Sequence, residues 1–349
     1  MNLTPEQLKN ARGYICKCIA QSYTNGRLPS MRVMLAQSHC TRMALQHIIK
    51  EYADLGYLVR KARKGYFLRS HSQGGNAIEL VACHDEGYST FGFLYECMLA
   101  MINTFSKHGY SVRLTSINQL ESIEKYLEIS QRSDSAAFVL LTPHTREIVS
   151  TFQLSGKPVL VLFPQGRFVG VNQLIDSSQL VELQMNHLLE LGHRRILYLR
   201  EQYAPYQSVT ELSRGMDYYR IMSQNGLLVP SHWHVHYPEG KLDETLELAF
   251  SQDPTPTALI VSDYEVATTF VFLQKHNLAI GKDVSVVATD GVPFLNSLSP
   301  TVSTTVMNCI QLSEDAWGLL ERQFKGAKDF ECREVGISFR QGESSGRIQ

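Results

Sequence analysis

The chain has 349 residues, 44% of them hydrophobic and 19% charged, an ordinary globular composition too long for one core, so two or three domains are expected. Its 7 cysteines are odd in number and form no C-x-x-C pair, Cys16 and Cys18 are too close for a shared metal site, and the scatter points to a reducing cytosol without a disulfide framework. The net charge of -1 conceals an asymmetry: residues 1–70 hold 12 Lys/Arg against 3 Asp/Glu, a basic head on an acidic body that calls for a polyanion partner at the head.

Met1 to Asn10 is polar and lacks the apolar core of a signal peptide, and no apolar run reaches 18 residues, so a cytoplasmic protein without a membrane span is expected. Residues 5–23 carry Leu8, Ala11, Ile15, Ile19 and Ala20 at helical spacing, with Thr4-Pro5 as the start and Asn25-Gly26 as the stop. Ser30 can cap a short helix over 31–37. A tight turn over 38–41 leads to a third helix capped by Thr41, with Leu45, Ile48, Ile49, Tyr52 and Leu55 on its buried side and Gly56 ending it. Residues 57–59 and 66–68 alternate as two strands around a basic tip, Arg60 to Gly65. Arg42 and Gln46 lie four apart on one helix face, and these side chains read guanine and adenine in a major groove. Thr41, at a helix N-terminus, is placed to meet a phosphate. Residues 70–77 are polar and Gly-rich, the composition of a flexible linker.

Four groups of residues, Leu28-Pro29-Ser30-Met31-Arg32, Thr41-Arg42-Met43-Ala44-Leu45-Gln46, Gly56-Tyr57-Leu58 and Gly65-Tyr66-Phe67, resemble the GntR-type winged helix-turn-helix. The resemblance implies a DNA-binding domain over 1–69, with Ser30, Arg32, Thr41, Arg42 and Gln46 facing double-stranded operator DNA and Lys64 and Gly65 at the wing tip. Met31 and Gln46 depart from that family's usual Glu and Arg, which implies a different base preference.

From Ile78 the pattern becomes strands alternating with helices. Strands are expected over 78–83, 111–115, 136–141, 158–163, 195–199, 234–237, 258–261 and 284–288. Helices are expected over 94–108, 118–130, 177–191, 214–225, 242–251 and 264–276. Such alternation predicts an α/β fold of parallel sheets with helices on both faces and a ligand at the strand C-termini.

His187-Leu188-Leu189-Glu190-Leu191-Gly192-His193-Arg194-Arg195-Ile196, Pro256 to Asp263, Asp283 to Asp290 and Leu298 to Thr305 resemble, in order, motifs of the LacI-type effector domain. The resemblance implies a two-lobe periplasmic-binding-protein-like domain over 78–341 with Rossmann-like lobes. One lobe would be 78–172 plus 292–320, the other 173–291 plus a C-terminal strand, and 342–349 would be a tail. It also implies a small effector, a sugar or sugar derivative, held by Arg214, Asp290 and Tyr237. The aromatic loop over 84–93 is longer than in that family, and its Tyr88, Phe91 or Phe93 either stacks on the ligand or packs in the core. Asp263 is either a ligand contact or a cap for the following helix. Phe163 stands where sugar-binding relatives often carry Asp, which removes one hydroxyl acceptor.

His232, His234 and His236 alternate as a strand face that could bind metal, but no fourth ligand accompanies them and a half-exposed strand face is the simpler reading. The chain has no G-x-S-x-G, H-E-x-x-H, P-loop or G-x-G-x-x-G, so neither catalysis nor a cofactor is expected. Together the two resemblances are similar to arabinose-repressor-type regulators: a homodimeric, effector-controlled repressor. A solute-binding module, or a sugar-processing enzyme with a regulatory head, is the alternative.

Overall fold

A computed structural model describes residues 3–22, 27–54, 58–62, 64–68, 75–83, 92–117, 123–143, 145–202 and 209–348. In chain order the head contributes α1 (Pro5–Ser22), α2 (Met31–Gln37), α3 (Arg42–Asp54), β1 (Leu58–Lys61) and β2 (Gly65–Leu68). There follow β3 (Ala77–Ala82), α4 (Phe93–Lys107), β4 (Ser111–Ser116), α5 (Ile123–Ser130), β5 (Ser135–Leu141), α6 (Arg146–Gln153), β6 (Val159–Leu162) and β7 (Asn172–Ile175). Next come α7 (Leu180–Glu190), β8 (Ile196–Tyr198), β9 (Arg200–Gln202), α8 (Val209–Gln224), β10 (His236–Pro238), α9 (Leu242–Phe250) and β11 (Ala258–Ile260). The remainder is α10 (Val266–Lys275), β12 (Ser285–Ala288), β13 (Ser303–Met307), α11 (Cys309–Phe324), β14 (Cys332–Glu334) and β15 (Ile337–Arg340).

The chain divides into two compact units: 1–89, 98–175 and 313–333 form the first, and 90–97, 176–312 and 334–349 the second. In the first, α1 to α3 close on Ile15, Met34, Leu45, Ile48, Ile49 and Tyr52. Arg12 of α1 pairs with Glu51 of α3 at 3.0 Å. β1 and β2 pair antiparallel, Leu58 against Leu68 and Lys61 against Gly65, and Arg27 bridges to Phe67. Leu127 of α5 and Leu154 just after α6 belong to the same apolar cluster as the head. The head therefore shares its core with the α/β body of its unit.

That body is a six-stranded sheet of order β14-β7-β6-β5-β3-β4. The pairs β3/β4, β3/β5, β5/β6 and β6/β7 are parallel. All seven residues of β5 are buried, as expected of a strand covered on both faces. Glu79 of β3 is wholly buried and accepts from Thr115 at 2.6 Å and Ser135 at 2.9 Å while pairing with Arg132, so its charge is compensated.

The second unit is a five-stranded sheet of order β15-β13-β12-β11-β8, parallel except for β15, with a small parallel ribbon of β9 and β10. Residues 292–312 group with this unit, not the first, because β13 inserts between β12 and β15. Residues 342–346 are built into the unit: Ser344 O accepts from Val286 N at 2.7 Å, Ser303 N donates to Ser344 Oγ at 2.9 Å, and Gly346 N donates to Ser285 Oγ at 3.0 Å. The expected strand over 234–237 begins only at His236, so His232 and His234 precede it and the alternating histidine face does not form. Among the described residues no group of three or more His, Cys, Asp or Glu is placed to hold a metal ion. Among the described residues no helix is long and apolar enough to cross a membrane.

Candidate functional site

Two polar surfaces are built by this fold. The first is on the head. Ser30 caps α2, its Oγ accepting from Val33 N. Thr41 begins α3: its Oγ1 accepts from Ala44 N at 3.2 Å and its carbonyl from Leu45 N at 3.1 Å. This fixes the orientation of α3. Ala44, Leu45, Ile48, Ile49 and Tyr52 are buried, which leaves Thr41, Arg42 and Gln46 exposed. Arg32 on α2 is exposed as well. At the hairpin tip Lys64 N donates to Lys61 O at 3.0 Å, and Gly65 takes φ +100, a left-handed turn open to glycine. Lys64 and Gly65 are exposed there. The structure thus brings all seven residues singled out in the head to the surface. Leu55, Gly56 and Tyr57 lie outside the described residues.

The second surface lies at strand C-termini of the second unit. β8, β11 and β12 are buried and, Ser285 at the start of β12 aside, largely apolar, and charged and polar residues stand where the strands end, at Arg200, Asp263, Thr289 and Asp290. Arg214 of α8 donates through Nε to Asp176 Oδ2 at 2.9 Å and pairs with the same oxygen through Nη2 at 2.7 Å. Its Nη2 also stands 4.0 Å from Asp290 Oδ1. Among the described residues Asp176 Oδ1 is buried without a hydrogen-bond partner, an open acceptor beside the guanidinium. Burial pushes the Asp290 carboxyl up to about 7 against the opposing pull of Arg214, with Asp263 adding to the rise.

Asp263 does not cap the helix that follows it. It is only 2% exposed, and its Oδ1 accepts from Thr289 N and Asp290 N while Oδ2 accepts from Val292 N, at 2.8–3.0 Å. It braces the loop that carries Asp290. The cap is Ser262, closed into a capping box with Glu265, whose carboxylate accepts from Ser262 N at 2.9 Å. Gly291 completes the loop at φ +70, where a Cβ would meet Thr305 O at 2.8 Å. Tyr237 is wholly buried, with its hydroxyl unpartnered among the described residues. Tyr88 and Phe91 lie outside the described residues.

Sequence reasoning missed Arg200 and Asp176. Arg200 is 5% exposed, donates to Tyr198 Oη at 2.8 Å and Thr289 Oγ1 at 2.7 Å, and acts electrostatically on Asp290. The one signal for it was a cation directly after an apolar strand; Asp176, likewise, directly follows β7. In the first unit Thr142 and Phe163 end β5 and β6 with φ 50 and φ 49, left-handed conformations unusual for non-glycine residues that mark strained strand ends. Phe163 is buried there.

Residues 185–345 match the family described as periplasmic binding protein-like domain. No curated protein matches the chain. Among solved structures, a LacI family transcriptional regulator from Enterococcus faecium with bound ribose aligns at 17% identity and TM-score 0.64, over 78% of this chain and 100% of its own. A transcriptional regulator CelR–cellobiose complex aligns at 15% identity and TM-score 0.69, over 95% of this chain and 99% of its own. A periplasmic binding protein/LacI transcriptional regulator from Alkaliphilus metalliredigens complexed with D-xylulofuranose aligns at 16% identity and TM-score 0.61, over 78% of this chain and 99% of its own. At such identities the shared property is the fold. The chain carries a periplasmic-binding-protein-like α/β domain and is similar in fold to LacI-family transcriptional regulators.

Proposed function

We propose that this protein is a cytoplasmic transcriptional repressor whose binding to double-stranded operator DNA is controlled by a small sugar or sugar derivative. The observation that carries the reading is the Arg214–Asp176–Asp290 cluster at strand C-termini, in a chain whose basic head exposes Thr41, Arg42 and Gln46 along one helix. A guanidinium flanked by two carboxylates offers donors and acceptors to neighbouring hydroxyls of a polyol. The ribose, cellobiose and xylulofuranose held by proteins of similar fold support that ligand class. The head reads as a GntR-type winged helix-turn-helix, with α3 in the major groove and the Lys64–Gly65 turn on the flanking backbone. A homodimer would present two heads to two half-sites. Effector binding acts by favouring one of two arrangements and shifts DNA affinity only as far as it distinguishes them.

Two measurements test this. In a gel-shift titration against genomic operator fragments, Arg42→Ala weakens specific binding by about 1–3 kcal/mol, the worth of a bidentate base contact. Unchanged affinity and salt slope would remove α3 from the interface. In a thermal-shift screen of pentoses, hexoses and disaccharides, at least one sugar stabilises the full-length chain, and Arg214→Ala and Asp290→Ala both abolish that shift. Stabilisation that survives in both variants would place the ligand elsewhere.

A further inference from the structure

Cys97 and Cys309 are far apart in sequence and adjacent in space. Their sulfurs stand 3.6 Å apart, in van der Waals contact. Cys97 is wholly buried in the opening turns of α4, while Cys309 is partly exposed as the first residue of α11. Asn308 precedes α11 and its Oδ1 accepts from Gln311 N at 3.0 Å, so the helix begins at the Cys309 position with its amide groups directed toward it. The two thiols are unequal. The hydrogen bond from Cys97 lowers the Cys309 thiol below its usual range, outweighing burial and the nearby Glu96 and Asp290. Burial raises Cys97 well above that range. Cys83 is the contrast: it is buried, its thiol directed to Val81 O at 3.7 Å, and burial alone pushes it up. A reactive thiol needs thiolate character, access and a resolving partner, and only Cys309 is shown with all three among the described cysteines.

We propose that Cys309 and Cys97 form a hydroperoxide-reactive dithiol, with Cys309 as the attacking sulfur and Cys97 as the resolving one. The Cys309 thiolate attacks one oxygen of the hydroperoxide. An S–O bond forms, the O–O bond breaks, and the departing alkoxide or hydroxide takes up the proton that Cys309 released. The sulfur is oxidised by two electrons to a sulfenic acid and the hydroperoxide is reduced to an alcohol or water. Cys97 then attacks the Cys309 sulfur. The S–S bond forms, the S–O bond breaks, and hydroxide leaves with the Cys97 proton as water. The product ties the start of α4 to the start of α11. This chemistry does not depend on the regulator reading, because its readout is covalent.

The test uses the reduced full-length chain and hydrogen peroxide, with alkylation and peptide mapping over time. A peptide linking Cys97 to Cys309, two hydrogens lighter than the reduced pair, is the first oxidised product. It forms about tenfold faster than oxidation of the exposed Cys332, while Cys83 remains a thiol. In Cys97→Ser and Cys97→Ala, whose folding is checked by circular dichroism, a dione probe captures a sulfenic acid on Cys309. In Cys309→Ser, Cys97 stays reduced at the same dose. A wild-type protein in which Cys309 reacts no faster than Cys332, or is oxidised without the Cys97 link, overturns the proposal without reference to any variant or to DNA binding.

Discussion

The Asp290 carboxyl, carried by burial to about 7, is divided near neutrality between a form that donates a hydrogen bond and one that only accepts. Its folded value lies above the ordinary 3.8, so the folded chain holds this proton more tightly than the unfolded one. The stability it contributes is complete below 3.8 and is lost as pH rises through about 7. Thermal unfolding midpoints of wild type should therefore fall relative to Asp290→Asn across that interval, and a flat difference would show that Asp290 titrates normally. Arg214 and Asp290 were legible in the sequence through the family resemblance, and the structure brings them to 4.0 Å. Arg200 and Asp176 were not legible, since their importance comes from partners at Thr289 and Arg214 that spacing along the chain does not reveal. Asp263 was legible as a strand-end carboxylate, but the three backbone amides it accepts from were not, because they come from the loop over 289–292.

Among the elements, the periodic ones were read most accurately. α3 shows a clean apolar face and β5 an unbroken apolar run, and both formed where expected. α6 and α11 were missed: α6 is only eight residues long, too short for Ile148, Val149 and Phe152 to stand out as a helical face among Arg146, Glu147, Ser150, Thr151 and Gln153. α6 also matters to the head, since Leu154, immediately after it, joins the cluster built by α1 and α3. Leu154 is wholly buried. Replacing it with Ala should cost about 2–5 kcal/mol in chemical denaturation, the usual range for an emptied leucine site. The loss should appear in probes on the head and on the six-stranded sheet alike. A head that melts separately, with the loss confined to the sheet, would show that the shared core does not couple them.

On the scale of the whole molecule, each unit is assembled from stretches distant in sequence, and the second depends on residues 342–346. Their bonds to Val286, Ser303 and Ser285 close the sheet next to β13, and His193 shares hydrogen bonds with Ser285 and the Gly346 carbonyl. A chain shortened after Gln341 leaves those buried groups unpaired, each costing about 1–3 kcal/mol. It should lose the cooperative unfolding transition of the second unit, and an unchanged transition would show the segment to be dispensable. The same stitching sets an order of events during synthesis. The first 200 residues supply the head and five neighbouring strands of the six-stranded sheet, which can begin to pack while translation continues. The five-stranded sheet cannot finish until β15 and the segment after it have emerged, so a nascent chain passes through a stage with its head already formed and its second unit still open.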